Sequence, residues 1–194
     1  VRLAGIFDQD TPRADVVSTK LNTTAFPNYA SLLKEVDAVI LSTPTSSHFE
    51  LAMEAIEEGK HVFIEKPLAS TGEEAEKIVA AARQKRVVLA CGLIERFNPA
   101  FTIAEALIKK DKPLIINVKR ESPLPQRMTD TSVIYDMMIH DLDLALHIAG
   151  APPQKSKAKG RRVKTKVLDQ AFVNIFFKNG IIANIEASRV SDCL

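Results

Sequence analysis

The first half of the chain alternates short apolar runs with helical stretches, and this alternation constrains the fold more than any other feature. The apolar runs predict buried strands at residues 3–7, 36–41, 61–65 and 87–91. The intervening stretches predict helices from residue 11 onward, over residues 48–58 and over residues 71–86. Strands and helices that alternate in this way form a parallel, doubly wound, Rossmann-like sheet.

The predicted helices carry recognisable terminal signals. Thr11 followed by Pro12 is typical of an N-cap and a first helical position. Thr71 and Glu74 have the spacing of a capping box, in which each residue satisfies a backbone N–H of the other. Gly59 is a typical helix stop. These signals support the helical assignments of the first half.

The pattern changes after residue 98. Helices are predicted at residues 99–110 and 132–149, and strands at 114–119, 171–177 and 181–187. The last two strands flank Asn179-Gly180, a strong signal for a β-hairpin. We therefore expect an incomplete dinucleotide-binding domain at residues 1–98, and an incomplete α+β domain with an open, largely antiparallel sheet at residues 99–194.

Composition excludes several classes of partner. The net charge of +2 is too small to indicate nucleic acid or an anionic membrane, and the sequence lacks an apolar run of roughly 20 residues. Cys91 and Cys193 are too few for a disulfide framework, which favours a reducing, cytoplasmic location. Residues 155–166 contain seven Lys or Arg without interleaved aromatic residues, so a solvated strand face is favoured over a nucleic-acid patch.

Asp8 ends the first predicted strand, where dinucleotide folds place the acid that binds the adenosine ribose. A carboxylate there repels the 2′-phosphate of NADP, so Asp8 favours NAD. The alternative is an acid that only caps a turn. A Rossmann unit carries a G-x-G-x-x-G turn about 20 residues before this acid, and none of the seven glycines forms G-x-G. We therefore expect an incomplete chain; a fold without the loop is the alternative.

Further candidates lie after the next two strands. Thr43, Pro44 and His48 occupy the turn and helix start where α/β folds meet a cofactor, although an ordinary capping turn has the same composition. Lys66 follows a buried strand directly after Glu65 and before Pro67. An ammonium there can stabilise negative charge developing on a substrate oxygen. A simple pairing of Lys66 with Glu65 is the alternative.

Asp136 and His140 lie four residues apart on the long predicted helix, hence on one face. A histidine can accept a proton from an alcohol, and a carboxylate one turn away can orient the imidazole. An ordinary ion pair is the alternative. Asp143 and His147 extend the stripe, but no other cluster in the sequence completes a metal site, so none is predicted.

Several of these segments, in this order, resemble the Gfo/Idh/MocA family of oxidoreductases. The resemblance rests on Asp8, on the turn that contains Thr43, Pro44 and His48, on Glu65-Lys66-Pro67, on the D-x-x-x-H segment of Asp136 and His140, and on the hairpin at Asn179-Gly180. It extends over essentially the whole chain. Family members also continue well past residue 194.

The resemblance implies a dehydrogenase that transfers a hydride between NAD(P) and a hydroxyl carbon of a sugar, cyclitol or nucleotide-sugar, and Asp8 favours NAD over NADP as its cofactor. It assigns Lys66, His140 and Asp136 to catalysis. It assigns Asp8, Thr43, Pro44, His48, Glu65 and Lys66 to cofactor binding.

Residues 92–99 are similar to a G-x-x-x-R-F-N-P stretch in members that act on nucleotide-linked amino sugars. This makes Arg96 and Asn98 substrate candidates; an ordinary turn before a helix is the alternative. A non-catalytic, nucleotide- or sugar-sensing relative is the alternative function. The strands at residues 171–177 and 181–187 also predict self-association into a homo-oligomer.

Overall fold

The computed structural model divides the chain between Gly92 and Leu93, slightly before the boundary expected at residues 98 and 99. It describes residues 1–124 and 131–190. Cys193, considered above, lies outside the described residues. The two units, Val1–Gly92 and Leu93–Leu194, are described separately below.

The first unit alternates strands and helices. Its strands are β1 Gly5–Ile6, β2 Thr24–Ala25, β3 Ala38–Leu41, β4 His61–Ile64 and β5 Leu89–Cys91. Its helices are α1 Thr11–Leu21, α2 Tyr29–Lys34, α3 Thr45–Glu57 and α4 Gly72–Lys85. β2 and α2 were not predicted, because two strand residues and six helical residues are too short to show a periodicity.

All strand pairs of this unit are parallel. β1 pairs with β2, and β3, β4 and β5 form a second sheet in that order. The register aligns Leu41 with Ile64 and Ile64 with Cys91, so the carboxyl ends of three strands lie at one level. The predicted Rossmann-like parallel fold is confirmed.

The core of the first unit lies between the sheet and its helices. Its most deeply buried side chains include Leu33, Ile56, Ile64 and Ile78, each 2% exposed or less. Burial of one such side chain contributes about 1.5–3 kcal/mol. The strand ends that carry the candidate site are therefore held by a packed interior.

The helix ends agree with the capping residues predicted from the sequence, with one exception. Asp10, not Thr11, caps α1, because its carboxylate accepts the backbone N–H of Arg13. The capping box of Thr71 and Glu74 is confirmed at the start of α4. Gly59, just beyond α3, has a φ of +71°, a left-handed conformation that glycine adopts without strain.

The second unit contains helices α5 Pro99–Ile108 and α6 Ile139–Ala149 and strands β6 Ile115–Glu121, β7 Pro153–Arg161, β8 Gln170–Phe177 and β9 Ile182–Ser188. The sheet order is β6-β9-β8-β7, with β6 and β9 parallel and the other pairs antiparallel. The predicted open, largely antiparallel sheet is confirmed. Gly180 turns the β8–β9 hairpin with a φ of +87°.

The long helix expected over residues 132–149 begins differently. One π-helical turn, Ile134–Met138, precedes α6. Such turns shift the hydrogen-bond ladder to i→i+5 and often occur at functional positions. Asp136 lies inside this turn, and His140 lies in the first turn of α6.

Strand β7 is the solvated face predicted for the first part of the basic segment. All nine of its residues are exposed, including Lys155, Lys157, Lys159 and Arg161. Behind the sheet, Met138, Ala145, Ala183, Ile185 and Ala187 are among the buried core residues of the unit. None of the helices in the described ranges has the length and apolar character needed to cross a membrane.

Candidate active site

The carboxyl edge of the β3-β4-β5 sheet gathers most of the predicted cofactor residues. Thr43 and Pro44 follow β3 and are exposed, and Glu65 and Lys66 follow β4 and are half-buried. Gly92 follows β5, with its N–H bonded to the Ile64 carbonyl. The strand register explains this grouping, because parallel strands bring their carboxyl ends to one edge.

His48 is buried, with only 1% of its surface exposed. Its Nδ1 lies 2.9 Å from the Pro67 carbonyl oxygen, and its Nε2 lies 2.9 Å from the Thr43 carbonyl oxygen. Both contacts are hydrogen bonds only when both ring nitrogens carry a proton, because a carbonyl oxygen only accepts. The ring thus connects the turn after β3 with the turn after β4, and its nitrogens face the protein rather than a ligand.

Glu65 packs closely over Gly92. A Cβ added at Gly92 would lie 2.7 Å from Glu65 Oε2 and 3.3 Å from Glu65 Cα. Glu65 Oε2 also accepts the backbone N–H of Lys66, over 3.3 Å. The absence of a side chain at residue 92 therefore leaves room for the carboxylate beside Lys66.

Asp8 lies at the end of the segment that contains β1 and forms an ion pair with Arg13. Arg13 donates from Nε to Asp8 Oδ2 over 2.7 Å and from Nη2 to Asp8 Oδ1 over 2.8 Å. Asp8 Oδ1 also accepts the Asp10 backbone N–H, over 2.9 Å. The hydrogen bonds from Arg13 lower the pKa of the Asp8 carboxyl, so this acid is ionised at neutral pH. Sequence reasoning missed Arg13, although it lies only five residues from Asp8.

In the second unit, Asp136 and His140 are both half-buried. The rest of the predicted stripe makes contacts within the unit. Arg96 donates two hydrogen bonds to Asp143, and His147 Nε2 lies 2.7 Å from Glu105 Oε1. The bonds from His147 and then Lys109 lower the pKa of Glu105. Within residues 1–124 and 131–190, no group of three or more His, Cys, Asp or Glu side chains could hold a metal ion.

The two substrate candidates have structural partners of their own. Arg96 donates from Nε to Asp143 Oδ2 over 2.6 Å, and this bond raises the pKa of its guanidinium. Asn98 Oδ1 accepts the Ala100 N–H at the start of α5, and its Nδ2 donates to Glu95. Asn98 therefore caps a helix. The Arg96 side chain is 42% exposed, so its edge remains accessible.

A buried acid beside His140 was not predicted. Asp141 is 1% exposed and accepts from Arg120 Nε over 2.9 and 3.0 Å and from Nη2 over 2.7 Å. These bonds raise the pKa of Arg120, which also lies 3.5 Å from Glu95. The pair fastens the first turn of α6 to β6. The sequence signal for this ion pair was that Arg120 directly follows the strand predicted at residues 114–119.

The donor set of the first unit suits a dinucleotide. A carboxylate at the end of β1 offers acceptors to ribose hydroxyls, and a threonine hydroxyl and a half-buried ammonium lie after β3 and β4. Gly92 contributes no side chain after β5, and the Glu65 side chain occupies the adjacent space. The residues present thus fit the expected cofactor, NAD.

Comparisons with known proteins agree with this description. Residues 1–93 match a family model described as an oxidoreductase family with an NAD-binding Rossmann fold. Residues 116–193 match the C-terminal domain model of the GFO/IDH/MocA family. The two models together account for most of both units.

Two relatives and one solved structure illustrate the similarity. UDP-N-acetylglucosamine 3-dehydrogenase of Acidithiobacillus ferrooxidans is 41% identical over 189 residues, which are 97% of this chain and 60% of the relative. A solved structure of that enzyme has a TM-score of 0.91 at 40% identity, with 98% of this chain and 63% of that chain covered. An NAD(+)-dependent scyllo-inositol 2-dehydrogenase of Bacillus subtilis is 31% identical over 80% of this chain and 49% of the relative.

The chain spans 60% of the length of the Acidithiobacillus enzyme and 49% of the Bacillus enzyme. The resemblance drawn from Glu65-Lys66-Pro67 and from the Asp136/His140 segment is confirmed by both family models. The sheet topologies of both units agree with it. The chain therefore belongs to the Gfo/Idh/MocA family of oxidoreductases.

Proposed function

We propose that the protein transfers a hydride between NAD and a hydroxyl carbon of a sugar, cyclitol or nucleotide-sugar. One observation carries the proposal: Lys66 extends from the central strand of the parallel β3-β4-β5 sheet, at the edge where Thr43, Glu65 and Gly92 also lie. A half-buried ammonium in that position is suited to a substrate oxygen rather than to solubility. Bound NAD would supply the hydride acceptor.

In this proposal three side chains have separate roles in the chemistry of the hydroxyl group, as the family resemblance implies. Lys66 donates a hydrogen bond to the oxygen and stabilises the negative charge that develops there. His140 accepts the hydroxyl proton, and Asp136 orients the imidazole and stabilises its protonated form. For the reverse reaction, the same histidine returns the proton to the oxygen.

Two arrangements support these roles by positioning. Arg120 holds the buried carboxylate of Asp141, and Asp141 directly follows His140 on α6. In the first unit, Glu65 packs on Gly92 immediately before Lys66. Backbone that is held beside a reacting group reduces the freedom that must be lost in the transition state.

For the substrate, we propose a nucleotide-linked amino sugar, with UDP-N-acetylglucosamine as the first compound to test. The support is the R-F-N-P segment and the similarity to the Acidithiobacillus dehydrogenase named for that compound. Arg96 would contact the substrate through the exposed edge of its guanidinium, while Asp143 holds the other edge. Asn98 would act by fixing the start of α5.

The test measures NADH formation by the whole protein with NAD and UDP-N-acetylglucosamine, myo-inositol or scyllo-inositol. Lys66→Met and His140→Asn should each lower kcat at least about 100-fold, while the Kd for NAD changes less than threefold. Lys60→Met is the matched control, because Lys60 directly precedes the same strand, β4, at its opposite end. Unchanged turnover in Lys66→Met would refute the assignment. NAD binding without turnover of any substrate would favour the sensing alternative.

We also propose that the protein is cytoplasmic.

We further propose that the protein self-associates through the outer face of the β6-β9-β8-β7 sheet. That face presents exposed Phe172 and a ladder in which Asn174 donates to Asn184 and Asn184 donates to Asn117. A mixed polar and aromatic sheet surface of this kind suits a second copy of the chain. Phe172→Glu should reduce the sedimentation coefficient to that of a monomer, and a wild-type monomer would refute the proposal.

A further inference from the structure

Arg120 is a half-buried cation on the face of β6 that contributes to the apolar core. Ile116 and Val118 precede it at alternate positions of the strand, and both pack in that core. Arg120 instead holds the buried carboxylate of Asp141. Replacement of a buried ion pair by apolar residues of similar volume is often neutral or stabilising. Stability of the second unit therefore does not explain why a charged pair occupies this position.

The guanidinium of Arg120 also reaches a second carboxylate. Its Nη1 lies 3.5 Å from Glu95 Oε1, and Glu95 Oε2 accepts a hydrogen bond from Asn98 Nδ2 over 3.2 Å. Glu95 belongs to the 3-10 turn Ile94–Phe97, which also contains the substrate candidate Arg96. Arg120 thus contacts two segments at once, the first turn of α6 and the turn that carries Arg96.

A second ion pair joins the same two segments. Arg96 donates to both carboxylate oxygens of Asp143, which is 7% exposed and lies two residues after Asp141 on α6. The adjacent residues Glu95 and Arg96 are therefore held to α6 at two points, once through Arg120 and once directly. Two points of attachment define an orientation, whereas a single point would leave the turn free to pivot.

The position of His140 gives this arrangement a consequence for the chemistry. His140 directly precedes Asp141, so the arginine that holds Asp141 also fixes the backbone beside the proposed base. A general base must lie within about 2.6–3.2 Å of the oxygen whose proton it accepts. A displacement of about 1 Å can lower the rate about 100-fold. The alignment of α6 with the turn that carries Arg96 should therefore control the rate of proton transfer.

We propose that Arg120 is a positioning residue of the dehydrogenase reaction. It aligns His140 with the turn that carries Arg96, and so sets the distance between the imidazole and the hydroxyl of a bound substrate. The inference rests on the proposed function and adds to it a residue that acts through His140 rather than on the substrate. Arg96 keeps its own bonds to Asp143 when Arg120 is replaced. Arg120 therefore affects kcat, whereas Arg96 affects KM.

Steady-state kinetics of the whole protein with NAD and UDP-N-acetylglucosamine test the proposal. Arg120→Met should lower kcat about 100-fold and change KM less than about threefold. In the His140→Asn background the same substitution should lower kcat less than about threefold, because a base that is absent cannot be misplaced. Equal losses in the two backgrounds would show that Arg120 does not act through His140, and would overturn the inference.

A merely structural role is tested by removing both charges of the buried pair. Arg120→Met alone leaves the Asp141 carboxylate buried without its arginine, whereas Arg120→Met combined with Asp141→Leu leaves neither charge. Hydrogen exchange of peptides from α6 and β9 should show wild-type protection in the double variant, with kcat still about 100-fold low. Wild-type kcat in the double variant would overturn the inference. Arg120→Lys keeps a charge for Asp141 but not the planar fork, and its kcat should lie about tenfold below that of the wild type.

Arg161→Met is the matched control. Arg161 is exposed on β7, the strand at the edge of the same sheet. The kcat and KM of this variant should equal those of the wild type. Wild-type protein that turns over neither UDP-N-acetylglucosamine nor the two inositols would overturn the proposed function, and this inference with it.

Discussion

Replacement of Asp169 by Asn tests whether the second unit depends on one buried charge network. Asp169 and Arg189 are both fully buried. Asp169 Oδ2 accepts the backbone N–H groups of Val163, Lys164 and Thr165 over 2.8–2.9 Å. Its Oδ1 accepts from the Thr165 hydroxyl over 2.6 Å and from Arg189 Nε and Nη2 over 3.2 and 3.1 Å.

The loss of stability expected in Asp169→Asn follows from which of these hydrogen bonds an asparagine can make. Its single carbonyl oxygen can serve the three backbone amides, but its NH2 group then faces the donors of Arg189. The guanidinium retains the Thr131 carbonyl and loses the negative charge of Asp169. Loss of one partner of a buried ion pair costs about 3–5 kcal/mol. This is a large fraction of the roughly 5–15 kcal/mol by which a domain is stable.

Hydrogen exchange across a urea series, read by mass spectrometry, measures this loss for each unit separately. Peptides from β8 and β9 should lose about 3–5 kcal/mol of protection in Asp169→Asn, while peptides from β3 and β4 stay unchanged. A loss below about 1 kcal/mol, the net value of one ordinary hydrogen bond, would refute the reasoning. The control is Glu73→Gln, which removes a carboxylate from an exposed pair and should change neither set of peptides.

The same network predicts a pH dependence. Burial alone would raise the pKa of Asp169, but the Thr165 hydroxyl and the three backbone N–H groups outweigh it and lower the pKa. A lowered pKa in the folded state means that the contribution to stability is present above the unfolded value, about 3.9, and is lost as the pH falls below it. The difference in stability between wild type and Asp169→Asn should therefore be full at pH 7 and shrink below pH 4.

Three shorter predictions concern the first unit. Gly92→Ala should lower the melting temperature and weaken NAD binding, because the new Cβ meets Glu65. Gly72→Ala is the control and should change neither quantity, because the space around Gly72 is open. Differential scanning fluorimetry measures the melting temperature, and calorimetry measures NAD binding. Thr71→Ala removes the capping box and should cost about 1 kcal/mol in urea denaturation. His48→Phe breaks both carbonyl contacts and should speed amide exchange in the turns after β3 and β4; unchanged exchange would contradict the bridging role.

Local features were predictable from the sequence because their causes lie within a few residues. The capping box at Thr71 and Glu74 and the hairpin at Gly180 depend on neighbours three or four positions away. The alignment of Thr43 and Lys66 was also predictable, since parallel strands end at one edge. The shift of the α1 cap from Thr11 to Asp10 is an error of one position between two competent capping residues.

Long-range pairings were not predictable. Arg120 meets Asp141 across 21 residues, and Arg96 meets Asp143 across 47. Periodicity shows which residues share a helix face, but it does not show which distant charge will neutralise them. The π-helical turn at Ile134–Met138 was missed for a similar reason, because the residue types around Asp136 are equally compatible with an ordinary α-helix.

The parallel pairing of β6 with β9 joins the first and the last strand in the described part of the second unit. Asn117 and Asn184, which are hydrogen-bonded, lie 67 residues apart in the chain. At roughly 5–20 residues per second, a ribosome needs on the order of several seconds to make the intervening segment. During that time β6 has been synthesised but its partner has not. In the sheet, β9 lies between β6 and β8. A nascent chain that stops before residue 182 therefore lacks the strand with which both β6 and β8 pair.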